Sequence, residues 1–141
     1  MTPRFATRPF LAADAILRTA IVALALATGY IHATLGGPLF TLNAIGYVVG
    51  ATAMVAPLAI AIRFRWIVRI GLAGYAALTI TAWAIQGPFY STAYVAKAIE
   101  LALIVLLTID FARFDGNPLT LIRREVRAGL GRLGGAASGS A

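Results

Sequence analysis

The chain has 141 residues, of which 60% are hydrophobic and only 12% are charged. Ordinary soluble domains are about 45–50% apolar and about 25% charged. A fold of this length cannot bury the excess apolar surface in its own core. The composition therefore excludes a soluble globular domain and a disordered chain, and it indicates the lipid bilayer as the solvent. The length allows a single domain.

The net charge of +7 comes from twelve Lys and Arg residues against five Asp and Glu residues. These charges lie between long apolar runs rather than in one patch. That distribution favours the positive-inside bias of a membrane protein over a nucleic-acid interface. The sequence contains no cysteine, which excludes disulfides, thiol catalysis, and thiolate metal or iron–sulfur sites.

Four apolar stretches in chain order are long enough for membrane helices, since a hydrocarbon core of about 30 Å needs roughly 20 residues. We predict spans at 13–35, 39–62, 66–86 and 91–111. Short segments separate them, and each contains helix-breaking or charged residues: Gly36-Gly37-Pro38, Arg63-Phe64-Arg65 and Gly87-Pro88. Because the connections are short, the predicted fold class is an all-α integral membrane protein built as an antiparallel four-helix bundle.

The distribution of Lys and Arg predicts the orientation of these spans. Basic residues lie before the first span, between the second and third, and after the fourth, whereas the other two connections carry none. This asymmetry predicts that both termini are cytoplasmic, as in a multi-pass protein of a bacterial cytoplasmic membrane. Residues 1–12 do not fit a cleavable signal peptide, because the apolar run that follows is as long as a span and lacks a small-residue cleavage site.

Residues 112–134 are predicted to form a cytoplasmic basic amphipathic tail, and residues 135–141 a flexible end. Asn117-Pro118 is typical of a helix start. One helical stripe follows, at Leu119, Ile122, Val126, Leu130 and Leu133. The arginines off this stripe are expected to face anionic lipid headgroups: Arg123, Arg124, Arg127 and Arg132. A solvated tail that only fixes the topology and a docking surface for a partner protein are the alternatives.

Polar side chains from four different spans fall in the half of the membrane away from the cytoplasm: His32, Asn43, Gln86, Lys97 and Glu100. Such groups are expensive in lipid and therefore usually face the interior of a bundle. Lys97 and Glu100 are three residues apart and can form an ion pair. If the helix faces that carry Tyr47, Trp83 and Tyr94 meet at the same centre, the outer half holds a polar ligand-binding pocket.

These residues allow several chemistries. His32 is a candidate axial ligand for haem or a chlorophyll-type pigment, with a partner or an open position on the other side. Lys97 and Glu100 are candidates for a proton relay or for binding a quinone or another polar headgroup. The structural alternatives are that the ion pair only neutralises itself, that a backbone carbonyl satisfies His32, and that the tyrosines are interfacial. One His and one carboxylate are too few for a metal centre.

Small residues predict close helix packing, because they let two helix backbones approach each other. The glycines concerned are Gly46, Gly50, Gly71 and Gly74. Pro57 is predicted to bend the second helix. Near the inner end of the fourth span, Asp110 is expected to pair with Arg113 or Arg18.

A loose group of small four-span bacterial and archaeal membrane proteins resembles this chain at Ile31-His32, at the run Gly37-Pro38-Leu39-Phe40-Thr41-Leu42-Asn43-Ala44-Ile45-Gly46 and at Glu100. The resemblance extends over roughly residues 15–110. It implies the four-span architecture and a unit formed by His32, Asn43 and Glu100, and it implies no activity. The layout is also distantly similar to DoxX-like proteins, which implies a redox neighbourhood.

The function expected from the sequence is that of a non-catalytic accessory or structural subunit of a larger energy-transducing or transport complex. Its partners would be the lipid bilayer and other membrane protein subunits or a second copy, and no nucleic acid. One alternative is a small membrane protein that binds a cofactor, a quinone or a lipid headgroup in the outer leaflet. A second alternative is an oligomeric proton- or ion-coupled carrier.

Overall fold

The computed structural model describes residues 10–114, Gly116 and positions 120, 123, 126 and 127. Its helices are α1 (Phe10–Leu35), α2 (Pro38–Val55), α3 (Ala59–Arg63), α4 (Arg65–Gln86) and α5 (Ser91–Phe114). No strand occurs among these described residues, so the all-helical prediction is confirmed for them. The chain divides into two units, residues 1–110 and 111–141, and the site described below lies in the first.

Three helices are long and apolar enough to cross a membrane by length and composition: Ala13–Leu35, Pro38–Val55 and Arg65–Gln86. The fourth predicted span corresponds to α5, whose 24 residues extend about 36 Å at 1.5 Å per residue. α5 is therefore long enough, but it carries four charged residues: Lys97, Glu100, Asp110 and Arg113.

Pro57 interrupts the second predicted span instead of bending it. α2 ends at Val55, and the chain becomes helical again at Ala59, the start of α3. Proline has no N–H for the helical ladder, and it disfavours the helical conformation of the residue before it. Ala56, with ψ of 126°, has left that conformation. The predicted helix at 39–62 is thus two helices.

Glycines with positive φ end α1 and α4. Gly36 and Gly37 have φ of 71° and 86°, and Gly87 has φ of 69°. Side chains with a Cβ rarely adopt these angles, so glycine lets the chain turn immediately after the helix. Proline follows both turns. Pro38 occupies the first turn of α2, where its missing N–H removes no intrahelical bond, and the Gly87-Pro88 peptide bond is cis.

α4 and α5 run antiparallel. Thr79, toward the end of α4, is bonded to Glu100 near the start of α5, whereas Arg69, toward the start of α4, is bonded to Asp110 near the end of α5. α1 and α2 are also antiparallel, since the His32 ring lies against Phe40 while the earlier Gly29 lies against the later Tyr47.

The core is apolar and receives residues from all four long helices. Its fully or nearly fully buried members are Ile21, Ala25, Tyr47, Ala51, Met54, Leu72, Ala76, Leu103 and Leu107. On α5, the buried Leu103 and Leu107 lie between the two buried acids, Glu100 and Asp110. The core therefore forms an apolar layer between two ionic levels.

The predicted glycine packing holds for α2 only. A Cβ at Gly46 would lie 2.7 Å from the hydroxyl oxygen of Tyr75, and one at Gly50 would lie 2.7 Å from Cδ1 of Leu72. α4 can therefore approach α2 closely there. By contrast, no described atom outside the local helix lies within 4 Å of a Cβ built at Gly71 or Gly74. These two glycines support no contact within the described part of the chain.

Candidate functional site

Glu100 is the centre of the candidate site and is completely buried. Its Oε1 accepts a hydrogen bond from the Thr28 hydroxyl at 3.2 Å. Its Oε2 accepts from the Thr79 hydroxyl at 2.8 Å and from Lys97 Nζ at 2.7 Å. Three donors from α1, α4 and α5 thus converge on one carboxylate. Hydrogen bonds between a charged donor and a carboxylate are shorter and stronger than bonds between neutral groups.

His32 contacts the same carboxylate from α1. Its Nδ1 lies 2.8 Å from the backbone carbonyl oxygen of Thr28. A carbonyl oxygen only accepts hydrogen bonds, so Nδ1 carries the hydrogen. Nε2 lies 3.6 Å from Oε1 of Glu100. In the neutral ring, Nε2 therefore holds the lone pair and is the position where a second proton binds.

Tyr47 connects α2 to the centre. Its hydroxyl lies 3.1 Å from Oγ1 of Thr79, and the residue is fully buried. Thr79 has one hydroxyl hydrogen, and donating it to Glu100 lets Tyr47 donate to Thr79. Tyr47 also packs its ring against those of His32 and Tyr75, with centroid separations of 5.7 and 5.1 Å. This chain of hydroxyls fixes the rotation of α2 relative to α4 and α5.

Asn43 is held by a residue that the sequence analysis did not single out. The Tyr75 hydroxyl donates to Oδ1 of Asn43 at 2.7 Å. This bond uses the acceptor of the amide group, so its NH₂ group remains a donor. Asn43 and Tyr75 both line the cavity described next.

A cavity of about 230 Å³ lies above Glu100, at the end of the helices where α1 joins α2 and α4 joins α5. It is smaller than the roughly 300–1,000 Å³ typical of sites for drug-sized ligands. Aromatic and aliphatic side chains form most of its wall. The polar lining residues are His32, Asn43, Tyr75, Thr79, Gln86, Tyr90 and Lys97, with Trp83 beside them.

The structure brings together most of the predicted ligand-binding residues, but not all in the same way. Five of them line the cavity: His32, Asn43, Trp83, Gln86 and Lys97. Tyr47 and Glu100 are fully buried and do not line it. Tyr94 is exposed and touches the cavity wall only through the edge of the Trp83 ring, with centroids 5.0 Å apart.

Thr28 and Tyr75 are the contributing side chains that sequence reasoning missed. The hydroxyl of a threonine in a helix commonly donates to the backbone carbonyl oxygen one turn earlier, as that of Thr81 does to Ala77. Nothing in the residue type distinguishes the threonine that reaches another helix. The available signal for Thr28 is its position four residues before His32, which places both on one face of α1.

A second buried ion pair lies at the opposite end of the core. Nε of Arg69 donates to Oδ2 of Asp110, and both side chains are almost inaccessible. The expected partners of Asp110 were Arg113 and Arg18, and the sequence analysis did not single out Arg69. Arg69 lies one turn inside α4, which directs it to the core rather than to the connection before the helix.

Axial ligation of haem or a chlorophyll-type pigment by His32 does not fit this arrangement. Nδ1 is bonded to a carbonyl, and Nε2 faces the Glu100 carboxylate rather than open space. No group of three His, Cys, Asp or Glu residues within the described ranges could hold a metal ion.

The predicted tail lies largely outside the described residues. Arg123 and Arg127 occupy exposed helical positions. Arg124 and Arg132 are not among the residues described, and neither are most of the predicted apolar stripe and the segments at 1–9 and 135–141. The expectation that the four arginines face lipid headgroups stays a prediction.

Comparisons of the chain with protein-family models, with curated proteins and with solved structures give no match. The resemblances carried by short motifs therefore remain expectations.

Proposed function

We propose that the chain is a four-span integral membrane protein of a bacterial cytoplasmic membrane, with both termini cytoplasmic, that binds the polar headgroup of a small amphipathic ligand in the cavity above Glu100. The observation that carries this proposal is a cavity with a largely apolar wall that is lined by Lys97, whose ammonium group is paired with the buried Glu100. Binding sites of this kind combine an apolar wall with a few polar groups that orient the ligand.

The distribution of side chains supports the membrane part of the proposal. Many large apolar residues are exposed, among them Leu39, Val49, Ile60, Leu78 and Ile85. The buried set, in contrast, includes six polar or charged residues: Thr28, His32, Arg69, Thr79, Glu100 and Asp110. Contiguous exposed apolar surface marks a contact with lipid or another protein. Ionisable groups within a membrane span usually face the protein interior, as these do.

α5 fits a fourth span despite its charges. Glu100 and Asp110 are fully buried, and the Lys97 side chain is only 11% exposed. The outward positions of the same helix are apolar, including Leu101, Val105 and Ile109. Lipid would therefore meet an apolar face, while the charged groups are paired on the inside.

Lys97 indicates what kind of headgroup the cavity would bind. Within the described residues, its ammonium group hydrogen-bonds to Glu100, and an ammonium has three N–H donors. Two donors therefore remain for a ligand in the cavity that Lys97 lines. The NH₂ group of Asn43 adds another. A headgroup with a hydrogen-bond acceptor, such as a carbonyl or an oxyanion, complements this set of donors.

Tryptophan fluorescence provides the test, because Trp83 lines the cavity and Trp66 is the only other tryptophan. In the Trp66→Phe variant in vesicles, a short single-chain brominated alkyl amide should quench Trp83 saturably. The matched Trp83→Phe variant, which reports from the start of α4, should show only the linear quenching caused by partition into lipid. Equal, non-saturating quenching in both variants would remove the proposal.

A subunit role is the second candidate, and the open glycine face of α4 favours it. Gly71 and Gly74 are exposed, and small residues of this kind allow close approach of another membrane helix. Cross-linking in native membranes tests this role, since a Gly71→Cys variant should form a defined adduct with another chain. Only monomer after cross-linking would argue against it. The carrier alternative finds less support, because an apolar layer that includes Leu103 and Leu107 separates the two ionic levels.

A further inference from the structure

We infer that the cavity binds an oxyanion headgroup together with one proton, and that the proton is held at Nε2 of His32. The inference rests on the proposed function and specifies the charge of its ligand. Its basis is the position of one buried carboxylate, Glu100, between two bases on opposite oxygens: Lys97 on Oε2 and His32 on the side of Oε1.

The charges of the centre restrict the ligand. With His32 neutral, the positive charge of Lys97 is balanced by Glu100. An anion entering this largely buried site would leave one negative charge in excess, and an uncompensated charge is strongly disfavoured away from water. A neutral headgroup would meet no such penalty. The centre therefore needs an additional positive charge before an anion fits.

His32 is placed to supply that charge. Its Nδ1 hydrogen is already used by the carbonyl of Thr28, so an added proton binds at Nε2. Nε2 lies 3.6 Å from Oε1 of Glu100, close enough for the protonated ring to form an ion pair with the carboxylate. Glu100 would then be balanced by His32, and the charge of Lys97 would be available to the anion.

The other groups around the Glu100 carboxylate do not change the net charge of the site. From α1 it meets the hydroxyl of Thr28, from α4 the hydroxyl of Thr79, and behind Thr79 the hydroxyl of Tyr47 from α2. Tyr75 on α4 bonds Asn43 instead. Among the described residues, the charged or titratable groups that interact with Glu100 are thus Lys97, His32 and the phenols of Tyr47 and Tyr75. A tyrosine phenol is ordinarily uncharged between pH 5 and pH 8, so the two phenols add no charge. Histidine is the side chain that ordinarily changes charge between pH 5 and pH 8.

Coupling of this kind has a quantitative signature. If each anion binds with one proton, the apparent affinity rises by up to about tenfold for each unit of pH decrease, over the range in which the free site is unprotonated. The affinity for an uncharged amphiphile of the same length should change little over this range. A change of apparent affinity with pH is therefore expected for anions only.

A short brominated alkyl sulfonate is a suitable probe, because its headgroup stays anionic between pH 5 and pH 8. We expect its saturable quenching of Trp83, in the Trp66→Phe variant, to strengthen steeply as the pH falls, while quenching by the matched alkyl amide stays constant. His32→Asn keeps a side-chain donor near the Thr28 carbonyl and removes the second nitrogen. It should abolish the pH dependence of sulfonate binding.

Direct measurement of proton uptake avoids any dependence on folding of the His32 variant. The protein with His32 intact is saturated with the sulfonate in weakly buffered solution, at a pH at which the free site is unprotonated. It should then take up close to one proton per site. The inference is overturned if sulfonate binds equally at all pH values, if no proton is taken up, or if the His32→Asn variant keeps the slope. Failure of both probes to saturate at any pH would instead remove the proposed function itself.

Discussion

Glu100 illustrates how a carboxylate is kept in an apolar surrounding. It has no exposed surface, and each oxygen accepts at least one hydrogen bond from another residue. The desolvation of a buried charge is offset only when its lone pairs are satisfied and a counter-charge is near. Lys97 supplies the counter-charge, and two threonine hydroxyls supply the remaining bonds. The stability of the fold therefore depends on the pair as a unit.

A double-mutant cycle tests this dependence. Lys97→Met should lower the free energy of unfolding by about 3–5 kcal/mol, because it leaves a buried carboxylate without its cation. Glu100→Met should be milder, since Lys97 lies at the cavity and is 11% exposed. The combined variant should be more stable than Lys97→Met alone. Unfolding monitored in detergent measures all three, and additive losses would show that the two side chains act independently.

The side chains around Glu100 also show which contacts the sequence could not specify. His32, Asn43, Lys97 and Glu100 were predicted to meet because polar side chains in spans face inward. His32 and Lys97 lie against Glu100, and Asn43 lines the same cavity as these two. Tyr94 was expected beside them but is exposed, since burial of Glu100 sets the rotation of α5 and leaves Tyr94 outside. Thr28 and Tyr75 were missed because their partners depend on helix rotations that a single sequence does not specify.

The length of the apolar stretches predicted the positions of the helices reliably. α1, α4 and α5 lie over the stretches predicted at 13–35, 66–86 and 91–111. The exception is Pro57, because a proline in an apolar run is compatible with both a bent and an interrupted helix. The burial of Arg69 also could not be predicted from the sequence. A charge near a helix start is compatible with the connection or the core, and its burial with Asp110 required the packing of α5.

The close approach of α4 to α2 at Gly46 and Gly50 predicts that added methyl groups there destabilise the protein. Gly46→Ala should destabilise the protein by about 1–3 kcal/mol, since the new Cβ meets the ring and hydroxyl of Tyr75, which is tied to Asn43. Gly50→Ala should be milder, because the terminal methyl group of Leu72 can rotate away.

Gly74→Ala is the control, because the structure places no described neighbour within 4 Å of the new methyl group. We expect its stability to remain within about 0.5 kcal/mol of the parent protein. Thermal unfolding of the three variants in one detergent measures the order. A Gly46→Ala protein as stable as Gly74→Ala would contradict the close approach of α2 and α4.

In the first unit, the positions of Lys and Arg in the helix connections favour one orientation, with the cavity on the side that carries none. The connections near the cavity, at 36–37 and 87–90, contain no Lys or Arg, whereas the opposite connection contains Arg63 and Arg65. In the proposed four-span arrangement, the positive-inside bias would direct the cavity away from the cytoplasm. In this orientation the proposed ligand, and the proton that accompanies it, would enter from the outer leaflet.

The absence of cysteine from the sequence makes this orientation directly measurable, since each introduced thiol is the only one in the chain. Ser91→Cys places a thiol at the exposed start of α5, beside the cavity, and Arg63→Cys places one at the opposite connection. Intact spheroplasts are treated with a membrane-impermeant maleimide, and lysed cells serve as the control for reactivity. We predict that Ser91→Cys is labelled in intact spheroplasts and Arg63→Cys only after lysis. Labelling of both from the same side, or the reverse pattern, would contradict the four-span account and its outer cavity.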